Sequence, residues 1–332
     1  MFCHKRKYSY FCNDILTSLP VEQRAQGKFF LYTLMNNYNK KPLTFKEQIE
    51  HLKQKGITLC DEDNALHTLQ HISYFRLKSY LHPIMYDKQT RTYKPNSTFE
   101  QGYELYKFDS QLRKLIIAEI EKIEVSIRSQ MACISCDKSG TFWFCDKDNF
   151  KNINSHSEIL DILKSELNRS DDEYVLSFGE KYSNEFPPAW ITLEVSSFGT
   201  LSRLYKQMQP GLKKRQIAKI YGLSDKVFES WLHSLVYVRN ICAHHSRLWN
   251  KELRIRPLYP NKTGYTFIEN TSKNNRVYYI LCIIRYLLQT INPSSTFTQK
   301  LTSLLEKFPQ INTSAMGFPS NWKDETLWKQ TI

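Results

Sequence analysis

The sequence predicts an all-α protein, and three observations carry that reading. Apolar residues recur at three- and four-residue intervals through most of the chain. Only ten glycines punctuate its 332 residues. Little of the chain reads as strand, and it contains no internal repeat.

Residues 1–40 form a leader without a decisive pattern, and the elements begin after it. KPLTFKEQIEHLKQKG (41–56) is a helix that Thr44 and Glu47 close as a capping box and Gly56 ends. Acidic DEDN (61–64) then caps the helix expected in ALHTLQHISYFRLKSYLHPI, and residues 80–99 suit a small hairpin. The strongest helix runs from about Phe99 to Cys133. Its stripe is Leu105, Phe108, Leu112, Leu115, Ile116, Ile120, Ile123, Ile127 and Met131, with Asp109–Arg113 and Glu124–Arg128 as i,i+4 pairs on the polar side. Further helices follow at SEILDILKSEL, SSFGTLSRLYKQM, LKKRQIAKIYG, DKVFESWLHSLVYVRNICAHH and the central NNRVYYILCIIRYLLQTI (274–291), with FGEKYSNEFPPAW (178–190) as a connection. The short helix TQKLTSLLEKF and a loop-rich tail close the chain. The organisation is a leader (1–40), an N-terminal helical module (41–98), a helical bundle (99–292), and a short helix with tail (293–332).

Composition narrows the functional classes. No two glycines stand as GxG or GxxxxGK, which excludes a nucleotide-driven motor built on a phosphate-cradling loop. No run reaches the ~20 apolar residues of a membrane span, and the start lacks the apolar region of a secretory signal. Eight scattered cysteines fit reduced thiols and a cytoplasmic protein. Cys133, Cys136 and Cys145 lack a fourth ligand, and HTLQH, with His67 and His71, lacks a zincin glutamate. No metal and no cofactor are expected. The net charge of +13 is concentrated: between Arg203 and Arg256 twelve basic residues face only Asp225, Glu229 and Glu252. Such a surface attracts nucleic acid or an acidic membrane, and charge alone equally suits a plain solvated face.

RNICAHHSRLWN (239–250) ends an apolar run with two arginines, two histidines and two asparagines. At about 100° per residue, with Arg239 at zero, Asn240 falls at about 100°, His244 at about 140°, Arg247 at about 80° and Asn250 at about 20° if the helix continues that far. Trp231, Leu235, Val238, Cys242 and Trp249 gather on the opposite face, and His245 sits at the margin. Arginine presents a donor fork to phosphate, histidine moves a proton, and asparagine orients either. Together they can cleave RNA through its 2′-hydroxyl without metal. The same residues also suit a structural part, capping a helix and pairing with Glu252, and the wheel leaves both readings open.

RNICAH at 239–244 matches the RxxxxH signature of the HEPN superfamily of α-helical ribonucleases. The wider chain resembles the Abi-like family of abortive-infection phage-resistance proteins, of the AbiD/AbiF type. That resemblance rests on PLTFKEQIEHLKQKGI, HISYFRLKSYLHPI, LYKFDSQLRKLIIAEIEKIEVSIRSQ, SSFGTLSRLY, SWLHSLVYVRNICAHHSRLWN, GFPSNW and DETLW, between about Lys41 and Trp328. It implies a HEPN-type bundle behind the N-terminal module and a phage-defence ribonuclease with Arg239, Asn240 and His244 catalytic. His245 and Arg247 support them, although His245 also suits packing or capping. Lys213, Lys214, Arg215, Arg254 and Arg256 would contact RNA, the first three equally suiting a solvated turn. The chain holds one clear RxxxxH, since the helix with Arg113 and Arg128 lacks the histidine. The resemblance therefore implies a homodimer, and a bound small structured RNA as a further partner.

Overall fold

A computed structural model describes residues 41–87, 92–269 and 273–329; the leader and the side chain of Cys136 lie outside what it describes. The fold is all-α. Its helices are α1 (Phe45–Gln54), α2 (Glu62–His71), α3 (Tyr74–Leu81), α4 (Phe99–Ser139), α5 (Ile153–Leu167), α6 (Glu173–Lys181), α7 (Ala189–Thr192), α8 (Phe198–Gln207), α9 (Leu212–Ile220), α10 (Asp225–Ala243), α11 (Val277–Ile291), α12 (Phe297–Lys307) and α13 (Thr326–Lys329). The two strands, β1 (Met85–Asp87) and β2 (Thr92–Tyr93), pair antiparallel with Met85 opposite Tyr93, in the segment where a hairpin is expected. No described helix is long and apolar enough to cross a membrane.

The chain divides into two compact units between Lys107 and Phe108, inside α4. In the first, the Thr44 hydroxyl accepts from the Glu47 amide while the Glu47 carboxylate accepts from the Thr44 amide, the capping box read from sequence. That bonding holds the Glu47 carboxyl below its usual range. Asp61 accepts from the Asn64 amide at 3.0 Å, so the acidic cluster does cap α2. The segment behind it forms two helices, because Ile72 leaves the helical region and Ser73 starts α3 by accepting from the Arg76 amide. Ile49, Leu52, Leu69, Leu77, Leu81 and Phe99 close the core.

In the second unit the α4 stripe from Phe108 through Met131 is fully buried at Leu112, Ile116, Ile120, Ile123 and Ile127. α11 is buried at every position from Val277 to Leu288, the all-round apolar character of a central helix. The tail packs over it: the Trp328 indole donates to the Tyr278 hydroxyl at 3.1 Å, and Phe318 and Trp322 add rings beside them. Gly222 adopts φ +63° and its carbonyl accepts from the Gly264 amide at 2.8 Å, an approach that a side chain on either residue would obstruct. α6 lies across acidic residues and a stretch expected to be irregular. None of its residues is fully buried, although Val175 and Phe178 are half-buried.

One expected pair has a different role. Asp109 and Arg113 do pair, but inside the protein, with Asp109 wholly buried and Arg113 nearly so. The Asp109 carboxylate also accepts from the Leu248 amide at 3.1 Å and the Trp249 amide at 2.6 Å, 139 and 140 residues away in sequence. Asp109→Asn should therefore lower stability by about 3–5 kcal/mol, since it strands the buried guanidinium. Chemical denaturation checks this, with Glu119→Gln, whose partner Lys122 is partly exposed, as the milder comparison.

Candidate functional site

The candidate site is built by the last turn of α10 and the chain that leaves it. Ser224 starts the helix by accepting from the Val227 amide. Phe228, Trp231, Leu232, Leu235, Val238, Ile241 and Cys242 then fill one face, and burial pushes the Cys242 thiol up to about 12, so it stays protonated. Arg239 is half-buried, while Asn240 and His244 are exposed. The Arg239 guanidinium donates to the Asn240 side-chain oxygen at 3.4 Å, a long bond that still points the two groups at each other. His244 caps the helix, and its side chain has no partner among the described residues.

The helix ends earlier than the wheel assumes. The Ser246 amide donates to the Ile241 carbonyl and the His245 amide to the Cys242 carbonyl, both at 3.0 Å, with His245 in the left-handed region at φ +53°. This is the pairing of a Schellman terminus, with histidine where glycine usually stands. His245 thus turns the chain. Arg247 and Asn250 do not continue the strip, and Trp249 reaches the core through Asp109 rather than as the next turn of α10. Arg247 instead stands near Lys251 and Arg254: burial first, then those two guanidinium charges, hold the Lys251 ammonium below its ordinary range.

Behind Arg239 lies Glu124 of α4, whose carboxyl burial raises above its usual range while Arg128 and Arg239 act against that rise. Arg128 is committed to structure. It binds Glu124 at 3.0 Å and donates to the Ser196 carbonyl at 2.9 Å. Glu124 was not singled out from sequence, where it appeared only as half of a helix pair.

The expected RNA contacts separate. Lys214 is buried, its ammonium 2.6 Å from Glu229 and donating to the Lys206 carbonyl at 3.1 Å, so it is a structural staple and not a phosphate contact. Burial holds its charge below the ordinary lysine range, with Glu229 opposing. Lys213 borders a cavity of about 260 Å³ with Trp143 and Asn149, and Arg215 and Arg254 are exposed. Arg256 pairs with Glu252 at 3.3 Å on the surface.

Sequence reasoning missed a groove of about 1030 Å³ beside the strip. α5, α8 and α10 line it, with Leu258 at its edge and Asn240 among its lining residues. Leu258 is pinned there, its carbonyl accepting from the Trp231 indole and its amide donating to Ser230, both at 2.9 Å. The available signal was the spacing of Lys226, His233 and Asn240, seven apart on one face of α10. Among the described residues no His, Cys, Asp or Glu side chains gather as a metal-binding group.

An all-α unit carrying an arginine–asparagine–histidine strip at the end of a polar groove is the class of protein defined by the fold and the site. Residues 67–250, more than half of the chain, match the family model for Abi-like proteins, and the chain belongs to that family. Membership suggests a part in abortive infection, a defence against phage. The match ends at Asn250, just past the Asp109-held Trp249, and it leaves outside both PLTFKEQIEHLKQKGI and GFPSNW. Comparison with curated proteins and with solved structures gives no match.

Two stability measurements separate exposed from structural residues here. Arg239→Ala and His244→Ala should each change the unfolding free energy by less than about 1 kcal/mol, whereas Lys214→Ala, which abandons Glu229, should cost about 2–4 kcal/mol. His245→Gly should leave stability unchanged or up to ~1 kcal/mol higher, because glycine removes the left-handed penalty. Thermal unfolding of each variant tests both statements.

Proposed function

We propose that the protein is a HEPN-type endoribonuclease acting in abortive infection, with Arg239, Asn240 and His244 as its catalytic residues. The single observation that carries this reading is the end of α10: the RxxxxH residues leave the buried face together, and the Schellman turn ends the helix just beyond them. His244 takes the proton of an RNA 2′-hydroxyl, and that oxygen attacks the adjacent phosphorus. The bond from phosphorus to the 5′-oxygen breaks, giving a 2′,3′-cyclic phosphate and, after the leaving oxygen gains a proton, a 5′-hydroxyl. Arg239 neutralises charge on the phosphoryl oxygens, and Asn240 aligns Arg239. These side chains supply base, charge and orientation themselves, which supports a reaction independent of metal. DNA lacks the nucleophile and is inert.

One protomer supplies one such strip, and a second copy of the chain supplies a facing one in a homodimer. Arg215, Arg254 and Lys213 are the remaining candidates for contacts with a longer or structured RNA, with Arg256 shared with Glu252. The protein acts in the cytoplasm. A non-catalytic RNA-binding module is the second reading, favoured by the presence of one RxxxxH strip in the chain.

Purified protein should cleave single-stranded RNA in EDTA and leave 2′,3′-cyclic ends. His244→Ala should lower the rate by about 10²–10⁴-fold, the contribution of a positioned proton-transfer group. Gel analysis of end-labelled RNA measures both. Cleavage that demands magnesium or survives the substitution refutes the mechanism, and retained binding without cleavage selects the second reading.

A further inference from the structure

The groove beside the strip has a sidedness that the nuclease reading does not use. On α10, Lys226, His233 and Asn240 follow each other every seven residues, a row of about 21 Å at ~1.5 Å per residue. Arg203 and Lys206 of α8 stand beside that row. Arg203, Lys206, Lys226 and His233 are exposed, and among the described residues their side chains make no hydrogen bond or ion pair. Glu229, the acidic residue on the same wall, does not cancel them, because Lys214 holds it at 2.6 Å and Lys151 lies at 3.8 Å. The facing wall, α5, is acidic instead. It presents exposed Glu158 and, deeper, Glu166, whose Oε1 accepts from the Thr200 hydroxyl at 2.9 Å and the Ser197 amide at 3.3 Å.

We infer that this groove binds a single-stranded segment of RNA, its phosphates along the α8–α10 wall and its bases toward α5, and feeds it to the strip at Asn240. The direction of feeding rests on the nuclease reading; the binding does not. Three uncompensated cations, Arg203, Lys206 and Lys226, suit a polyanion. The Lys226–Asn240 row beside them is as long as about six stacked nucleotides at ~3.4 Å each. Carboxylates on the opposite wall repel phosphate, yet they accept from an exocyclic amino group such as that of cytosine, and uracil offers an oxygen there instead. A duplex, with phosphates on both outer edges, would set one backbone against Glu158.

The test uses the full-length His244→Ala protein, chosen to slow any cleavage, and fluorescein-labelled oligocytidine and oligouridine dodecamers followed by anisotropy across a salt series. Adding Arg203→Ala, Lys206→Ala and Lys226→Ala should weaken binding about tenfold or more at low salt. The slope of log affinity against log salt should flatten by about 2, since each lost single-strand phosphate contact removes ~0.7. Oligocytidine should bind more tightly than oligouridine, and Glu158→Gln should narrow that gap. An unchanged slope in the triple variant overturns the site, and equal binding of the two oligomers overturns the assigned orientation. Should the triple variant unfold, Lys226→Glu alone, at an exposed position, gives the same decision. Wild-type cleavage in EDTA runs in parallel. Cleavage with an unchanged slope defeats the groove alone, whereas the expected loss of slope with no cleavage defeats the nuclease reading alone.

Discussion

A single buried carboxylate organises the end of α10 and the chain that leaves it. Asp109 has no contact with solvent, so its charge must be met inside, and Arg113 one turn on meets it from the same helix. Its remaining lone pairs take the amides of Leu248 and Trp249. Those amides belong to the segment that follows α10, so the carboxylate ties the start of the α4 stripe to the chain just beyond the strip. With the Schellman turn at His245, this bond sends the backbone away from the helix axis and toward the core. Asn240 and His244 are left exposed, because the residues that would have formed the next turn have gone elsewhere.

The net charge of +13 is a poor guide to where an anion would bind, because the structure divides its cations by burial and pairing. Lys214, Arg113 and Arg128 neutralise Glu229, Asp109 and Glu124, and each lies in or near the protein interior. Such pairs hold elements together and have little charge left for a ligand. Arg203, Lys206 and Lys226 stand exposed and without ion pairs among the described residues. Three adjacent basic residues, Lys213, Lys214 and Arg215, show the division within one turn of helix: half-buried at a cavity, buried in an ion pair, and exposed.

Much of the helical order was legible in sequence because it depends on local rules. The capping box at Thr44, the Asp61 cap, the long α4 stripe and the all-buried α11 all follow from spacing and side-chain type. Features that need a distant partner were not legible. Asp109 looks like any i,i+4 acid until Leu248 and Trp249 arrive from 139 and 140 residues away. The end of α10 was legible to within two residues, but a wheel extended past His245, whose left-handed turn carries no glycine signal, sets Arg247 on a strip it does not join. α6 escaped because the acidic residues before it and Gly179 within it read as a connection, although Val175 and Phe178 stand on one helix face and are half-buried. That Arg239, Asn240 and His244 stand together at the end of α10 was readable, since they lie within, or cap, its last two turns.

The donors that Arg239 keeps uncommitted depend on its neighbours. Glu124 behind it is half-buried, and burial holds that carboxyl above its usual range even though Arg128 and Arg239 both favour its ionised form. Ionising Glu124 therefore costs the folded protein energy, and the cost is relieved as pH falls through the raised value, the reverse of an ordinary salt-bridged carboxylate. The pairing is consequently lopsided: Glu124 already has Arg128 at 3.0 Å, so Arg239 supplies field to it rather than a committed bond. A guanidinium held in place by a field and by one long bond to Asn240 keeps most of its donors for an incoming group. Arg113 and Arg128 have partners close enough to occupy theirs, and of these three arginines Arg239 has the least committed donors.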